Sequence, residues 1–267
     1  MNILVFDIET IPDVETGRLL YGKRSEMEKL SDEQVARVMF QQRSQNSNGQ
    51  TEMLRHHLQK VVAISAVLRT GERFKVDSFG TNESGEAEII ERFFKTIQLY
   101  TPMLISWNGG GFDLPVLHYR ALKHGINAQR YWNTHANDFR FNNYLNRFHE
   151  RHTDLMDVLA AYQPRAFAPL TEIATLLGFP GKLGMSGDQV WDVYLTDGGI
   201  QKIRDYCETD VLNTYLIFLR FELMRGTMNE IEYTQECQQV RDLLIAEKDK
   251  THLQEFLAAW TNYIECT

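Results

Sequence analysis

The sequence predicts an α/β fold built around a mixed β-sheet. Short apolar or β-branched runs alternate with segments whose apolar residues recur at helical spacing. Two of the strand-like runs are separated by a short connection containing Gly71, which indicates a hairpin. In chain order the elements run β, β, β, α, β, α, and this order is typical of α/β proteins.

Each element of the first half follows from its own pattern. Four apolar residues at the start predict a buried strand, two β-branched runs predict the hairpin, and Gly125 ends the last helix. The predicted strands cover residues 2–7, 60–68, 73–79 and 102–107, and the predicted helices cover residues 85–100 and 112–125.

The second half is predicted to be mostly helical. A short helix follows residue 168, and a long one runs from about Gly199 to Met224 with apolar residues at three- and four-residue steps. We therefore expect one domain over residues 1–225 and a helical extension, packed on it, over residues 226–267. The polar stretch 41–51 is the best candidate for a mobile loop.

Composition limits the function classes. The net charge of −8 argues against a protein that coats DNA, although bound metal ions would add positive charge that this count omits. No apolar run reaches the 18 or so residues of a membrane helix, and no signal peptide is recognisable. Cys207, Cys237 and Cys266 are widely spaced, which predicts free thiols in a reducing, cytoplasmic compartment.

Two acids end the first strand, in the stretch "NILVFDIET". Residues i and i+2 of a strand face the same side, so Asp7 and Glu9 point the same way. Two carboxylates in a poorly solvated place repel each other unless a cation joins them. The alternative is that the strand ends before Glu9 and that both acids are solvated.

A third acid, Asp113, follows another apolar strand in "SWNGGGFDLPV". It is also a favoured residue for a helix N-cap, which is the alternative interpretation. The three glycines allow a close backbone approach, but they form no nucleotide-binding fingerprint. Asn108 and Phe112 place an amide and a ring beside the acid, suited to the sugar and base of a nucleotide.

The long helix contributes Tyr206 and Asp210, which lie four residues apart and so share a face. The alternative is a core tyrosine beside a surface aspartate. Asp7, Glu9, Asp113 and Asp210 together make a set of hard oxygen ligands that suits Mg²⁺ or Mn²⁺ and not zinc. Several carboxylates around two such ions are the usual apparatus for hydrolysing a phosphodiester.

At these residues the sequence resembles the DEDD 3′–5′ exonucleases, in the subgroup that carries a tyrosine. The resemblance rests on three ordered motifs, "FDIET", "NGGGFD" and "YCETD", and spans about residues 1–225. It is closest to the proofreading exonuclease domain of family B DNA polymerases and, more narrowly, to stand-alone bacterial proteins related to that domain.

The resemblance implies a ribonuclease H-like fold in which Asp7, Glu9, Asp113 and Asp210 hold two Mg²⁺ or Mn²⁺ ions. It also implies that Tyr206 orients the attacking water. A related subgroup uses H-x-x-x-x-D instead, and His149/Asp154 and His152/Asp157 show that spacing. Both pairs precede the last motif, so the tyrosine assignment is kept. Asp154 is interpreted as a structural aspartate, with an auxiliary acid as the alternative.

The expected substrate is the 3′ end of single-stranded or frayed DNA. A segment over residues 130–152 interleaves aromatic residues with four arginines, as in a track for a single strand. Its alternative role is a loop whose rings pack on the core. The residues expected to bind substrate are Thr10, Trp107, Asn108, Phe112 and Arg147.

Three other functions share parts of this pattern. An RNA-trimming exonuclease would use the same metal site and differ in contacts to the 2′-hydroxyl. A non-catalytic nucleic-acid-binding module would have no reason to keep four repelling acids. A small-molecule phosphoesterase would not need Asn108 and Phe112 beside the third acid.

Overall fold

A computed structural model of the chain describes residues 2–71 and 73–265. Its centre is a five-stranded sheet with the order β3-β2-β1-β4-β5. The strands are β1 (Ile3–Pro12), β2 (Gln59–Thr70), β3 (Arg73–Ser78), β4 (Met103–Ser106) and β5 (His152–Asp154).

The sheet is mixed, as the sequence predicts. Strand β1 pairs antiparallel with β2, which forms a hairpin with β3, and β1 pairs parallel with β4 on its other side. β4 in turn pairs parallel with β5, a three-residue strand that the sequence pattern did not reveal.

The described part of the chain contains helices on both faces of the sheet, and most of the long ones were predicted. The helix over residues 32–46 and four shorter ones were not predicted. The helices are α1 (Val14–Leu20), α2 (Arg24–Met27), α3 (Asp32–Asn46), α4 (Glu86–Tyr100), α5 (Asp113–His124), α6 (Leu155–Leu159), α7 (Leu170–Leu176), α8 (Val190–Tyr194), α9 (Gly199–Met224), α10 (Glu230–Ala246) and α11 (Thr251–Glu265).

Strand β1 separates two apolar cores because its side chains alternate. Leu4, Phe6 and Ile8 pack with α4 and α5 on one face of the sheet. Val5 packs with α9, α10 and α11 on the other face. The extension that follows α9 therefore shares a core with the central sheet, through residues such as Phe256 and Trp260.

The prediction of a mobile loop over residues 41–51 is wrong for its first part. Helix α3 continues to Asn46, and it begins with a capping box between Ser31 and Gln34. Its Val35 and Met39 are buried in a small apolar core, whereas the Gln- and Ser-rich end of the helix is largely solvent-facing. The polar composition reflects this outer face and not an absence of structure.

Two further expectations concern cysteines and membranes. Cys207 and Cys237 are buried free thiols, as predicted, and Cys266 lies outside the described residues. None of the helices in the described part of the chain has the length and apolar character needed to cross a bilayer.

Candidate active site

The two acids of β1 continue the series of side chains that begins with Val5. Since that series faces α9, Asp7 and Glu9 point to the α9 side of the sheet. The strand does not end before Glu9, because its pairing with β2 continues to Pro12. A β-bulge between Glu9 and Thr10 interrupts the pairing at this point, and such bulges often re-aim side chains beside active sites.

Asp113 joins these acids from the neighbouring strand. Strand β4 runs parallel to β1, and the chain turns after Ser106 and enters α5 at Asp113. Its side chain does not cap α5. Instead, Asp113 Oδ1 accepts a hydrogen bond of 3.1 Å from the backbone N–H of Ile8. This bond fixes the third carboxylate between the first two along β1.

Helix α9 supplies the fourth carboxylate and the tyrosine. The hydroxyl of Tyr206 donates a hydrogen bond to Asp210, one helical turn further on. The thiol of the intervening Cys207 donates to the backbone oxygen of Asp7 at 3.4 Å and to its Oδ2 at 3.5 Å. Ligand atoms of Asp7, Glu9 and Cys207 all lie within 4.8 Å of one another.

The site is poorly hydrated. Glu9, Asp113 and Asp210 are 7%, 3% and 8% exposed, and Asp7 is half-buried. Burial raises the pKa of Asp7 and of Glu9 well above the ordinary range, and the charges of the other acids in the site add to the shift. Burial also raises the pKa of Asp113 and of Asp210 to about 7.

These carboxylates fit divalent metal ions. In the part of the chain that the structure describes, no Lys, Arg or His forms an ion pair with any of the four. Buried carboxylates of like charge are tolerated when a cation joins them, and oxygen donors of this kind suit Mg²⁺ or Mn²⁺. Among the described residues near the site, Cys207 is the one soft metal ligand, but its thiol is hydrogen-bonded to Asp7.

A comparison with protein families identifies the family of this chain. A sequence model of predicted 3′–5′ exonucleases related to the exonuclease domain of PolB matches residues 51–260, which is more than half of the chain. The chain belongs to this family. The match includes Asp113, Tyr206 and Asp210, whereas Asp7 and Glu9 lie before it.

A solved structure of another protein has the same fold as this chain. The family B DNA polymerase from the hyperthermophilic archaeon Pyrobaculum calidifontis is similar, with a TM-score of 0.50 and 14% sequence identity. The similarity covers 84% of this chain and 24% of the polymerase, so this chain spans about a quarter of that protein's length. The fold is therefore ribonuclease H-like, as the resemblance implied. No protein of curated function matches the sequence.

A cavity of about 520 Å³ opens beside Glu9 in this exonuclease-family member. Two residues expected to bind substrate, Thr10 and Phe112, line it. The Thr10 hydroxyl donates to Gln59 Oε1 at 3.0 Å. The other residues that line the cavity, which no sequence motif marks, come from the insertion between β1 and β2 and from the segment around α8. They include Phe40, Glu52, Met53, Leu54, Asp188, Trp191 and Asp192.

Two further expected substrate contacts, Trp107 and Asn108, lie in the turn before α5. Trp107 packs partly on the core, and its indole N–H donates to the backbone oxygen of Ala168 at 3.2 Å. Asn108 has a left-handed backbone with φ of 64°. Its backbone N–H donates to Asp154 Oδ1 at 2.9 Å. This hydrogen bond is consistent with the structural role predicted for Asp154.

The arginine- and aromatic-rich segment lies mainly at the other end of β4. Tyr144 donates to the backbone oxygen of Pro102, and Arg151 donates to that of Thr101, just before β4 begins. A four-residue strand spans about 13 Å, so these anchors are well separated from Asn108. Arg147 donates to Asp157 and stacks over Tyr162, and it does not line the cavity. Its role in binding substrate stays a prediction.

The histidines that mimic the other subgroup have local partners. His152 Nε2 lies 2.8 Å from the Ser106 hydroxyl, and burial lowers the pKa of this histidine to about 4. His149 Nδ1 accepts from the backbone N–H of Asn143 at 3.0 Å. Neither histidine contacts Asp210, whose hydrogen-bond partner in the described chain is Tyr206.

Proposed function

We propose that the protein is a 3′–5′ exonuclease that hydrolyses the terminal phosphodiester of single-stranded or frayed DNA with two divalent metal ions. The observation that carries this proposal is a set of four carboxylates, three buried and one half-buried, without a cationic partner in the described chain. Their occurrence in a member of a predicted 3′–5′ exonuclease family supports it.

Asp7, Glu9, Asp113 and Asp210 would hold the two ions, Mg²⁺ or Mn²⁺. Ions bound there would supply an activated water and would neutralise charge that develops on the phosphate. The four acids lie close enough to affect one another, since the charges of Asp113 and Asp210 raise the pKa of Asp7, and those of Asp7, Asp210 and Asp113 raise the pKa of Glu9. Such mutual proximity supports a shared metal site.

Tyr206 would orient the attacking water by hydrogen bonding. Burial and the neighbouring acids raise the pKa of its hydroxyl above the ordinary value, so the group stays protonated at neutral pH. A protonated phenol that donates its hydrogen to Asp210 can still accept a hydrogen bond from water, but it is not a general base. This role would match that of the tyrosine in the tyrosine subgroup of DEDD exonucleases.

The cavity beside Glu9 suits the last nucleoside of the strand. Aromatic and apolar side chains line it, among them Phe40, Phe112 and Trp191, and bases stack on such side chains. Its lining residues include Glu52, Asp188 and Asp192 but no Lys or Arg. It is therefore suited to a base and sugar and unsuited to a phosphate.

One assay tests the proposed function and its alternatives. DNA and RNA oligonucleotides labelled at the 5′ or the 3′ end are incubated with the protein and Mg²⁺, Mn²⁺ or EDTA, and the products are separated on a gel. We expect a ladder of shortened 5′-labelled DNA with either ion and none with EDTA.

The outcomes separate the candidate functions. Faster shortening of RNA would indicate an RNA-trimming enzyme, and binding without cleavage would indicate a non-catalytic module. Asp210→Asn should give no ladder, whereas Asp242→Asn on the exposed surface of α10 should act as wild type. Cleavage by Asp210→Asn at the wild-type rate would refute the proposed site.

A further inference from the structure

Asp154 is a buried carboxylate outside the three motifs. It ends β5, directly beside Ser106 at the end of β4, and is 9% exposed. Its two oxygens accept backbone hydrogen bonds from the turn that follows β4. Oδ1 accepts from Asn108 N–H and Oδ2 from Gly110 N–H, each at 2.9 Å. Oδ1 also accepts a longer bond, 3.4 Å, from Asp157 N–H.

The turn packs closely against Ser106 and Asp154. A Cβ atom added to Gly109 would lie 2.3 Å from the Ser106 hydroxyl oxygen, and one added to Gly110 would lie 3.2 Å from Asp154 Oδ2. A Cβ on Gly111 would lie 2.4 Å from Asn108 Oδ1. A side chain at Gly109 would clash with Ser106, and one at Gly110 would press on Asp154, so Asp154 is part of the surface that the turn covers.

The turn has two independent anchors. At its far end, Asp113 is held by the bond from Ile8 N–H on β1. At its near end, Asn108 and Gly110 are held by Asp154 on β5. The first anchor fixes a metal-binding carboxylate, and the second fixes the residues expected to face the substrate.

We propose that Asp154 is a positioning residue for substrate binding, which holds the turn over residues 108–110 so that Asn108 and Phe112 meet the terminal nucleotide. We assign it to the turn and not to the metal site, because three backbone N–H groups, two of them in the turn, donate to its two oxygens. This inference rests on the proposed exonuclease function and adds a residue that none of the three motifs contains.

The test compares Asp154→Ala, Asp154→Asn and the surface control Asp242→Asn. Both Asp154 variants remove the same negative charge, but the asparagine keeps an oxygen that accepts one of the two N–H groups. Differences between them therefore report hydrogen bonding and not charge. The measurements are KM and kcat on a 5′-fluorescein-labelled oligothymidylate, Mn²⁺ affinity by electron paramagnetic resonance without substrate, and amide hydrogen exchange.

We expect Asp154→Ala to raise KM by about tenfold, since it removes hydrogen bonds to a charged acceptor. Its kcat should change by less than about threefold, because Asp113 keeps its own anchor. Its Mn²⁺ affinity should change by less than about twofold and equally in Asp154→Asn, since both variants remove the Asp154 charge that raises the pKa of Asp113. Asp154→Asn should have a smaller effect on KM. The amides of residues 108 and 110 should exchange faster in both variants than in Asp242→Asn.

Two results would overturn the proposal. A large loss of Mn²⁺ affinity, equal in both Asp154 variants, would make Asp154 part of the metal site. Unchanged exchange at residues 108 and 110 would show that the carboxylate does not hold the turn. A wild-type protein without nuclease activity would refute the proposed function instead, and the exchange measurement would still test the anchor.

Discussion

Three of the four acids of the site accept a hydrogen bond from a neighbouring group. Asp113 accepts from the backbone of β1, Asp210 accepts from Tyr206, and Asp7 accepts from the thiol of Cys207. Such contacts stabilise the ionised form of each group, but burial opposes it, and the net pKa of all three is raised. The carboxylates are thus aligned for cations at the expense of stability in their absence.

The first prediction concerns the stability of the metal-free protein. The folded-state pKa of Asp210 is raised to about 7. The contribution of this group to the free energy of unfolding is therefore fully present below its unfolded pKa near 4 and is lost as pH rises through 7. Asp210→Asn removes this loss of stability, which reaches about 4 kcal/mol because each unit of pKa shift corresponds to about 1.4 kcal/mol. Thermal unfolding in EDTA should show the variant gaining over wild type between about pH 4 and pH 8.

Addition of Mn²⁺ provides the control for that measurement. Binding to the folded state alone stabilises it, so the ion should raise the Tm of wild type at pH 8 more than that of the variant. Equal stability of the two metal-free proteins across this pH range would contradict the repulsion inferred for the site.

The second prediction concerns Tyr206. Replacing it with Phe removes one hydrogen-bond donor but no carboxylate, so Tyr206→Phe should lower kcat by on the order of tenfold to a hundredfold. Asp210→Asn should lower it much further. A rate loss for Tyr206→Phe as complete as that of Asp210→Asn would mean that the phenol does more than orient a water.

At the scale of elements, a buried ion network joins the start of α1 to α4 and α5. Arg120 of α5 is 1% exposed and pairs with Asp13, which caps α1, and with Glu86 in the first turn of α4. Glu86 also accepts from the backbone N–H of Val61 on β2. The network therefore ties the insertion between β1 and β2, which walls the cavity, to the helices behind the sheet.

The third prediction follows from this network. Arg120→Met leaves Asp13 and Glu86 buried without their shared partner, which should destabilise the protein by about 3–5 kcal/mol. Lys95→Met on the same layer breaks an exposed pair with Glu91 and should change stability by less than about 1 kcal/mol. Urea unfolding measures both. Similar losses of unfolding free energy in the two variants would show that the buried network contributes no more to stability than an exposed ion pair.

The same network sets a response to acid. Burial opposes ionisation of Asp13, but hydrogen bonds from Arg120 and Lys123 prevail and hold its pKa below the ordinary range. A lowered folded-state pKa contributes stability that is present above the unfolded pKa and is lost as pH falls through the folded one. Part of the acid unfolding of the wild type therefore belongs to Asp13 and should be absent from Asp13→Asn.

At the scale of the whole molecule, α11 returns to the central core. Trp260 is 3% exposed, packs against Phe179 with ring centroids 6.2 Å apart, and lies under the guanidinium of Arg241 at 4.4 Å. Lys250 and His252, where α11 begins, bind the buried Glu208 of α9. Glu208 lies on the helix that carries Tyr206 and Asp210, so the extension supports the site from behind.

The fourth prediction is that this extension unfolds together with the rest. Trp260→Ala should destabilise the protein by about 3–5 kcal/mol, as for other large core residues. In urea, tryptophan fluorescence and circular dichroism should report one coincident transition for the wild type. Two separate transitions would show that residues 226–267 form an independent unit.

Local patterns were enough to predict most of the long elements and the set of acids. Asp7 and Glu9 were predictable because strand periodicity is local, and Asp210 because helical spacing from Tyr206 is local. By contrast, β5 has three residues and pairs only through β4, so no pattern of its own marks it. The end of α3 was misread because its exposed face is as polar as a loop.

The sequence by itself determined the fold class and the family, and it predicted the four carboxylates, because periodicity and short motifs can be recognised in the linear chain. Only the tertiary structure decided which side chains surround those carboxylates. Phe40 and Trp191 line the same cavity, and Asp154 binds the turn after β4, although these residues lie far apart in the chain. Contacts of this kind depend on sheet order and helix packing, which no local pattern encodes.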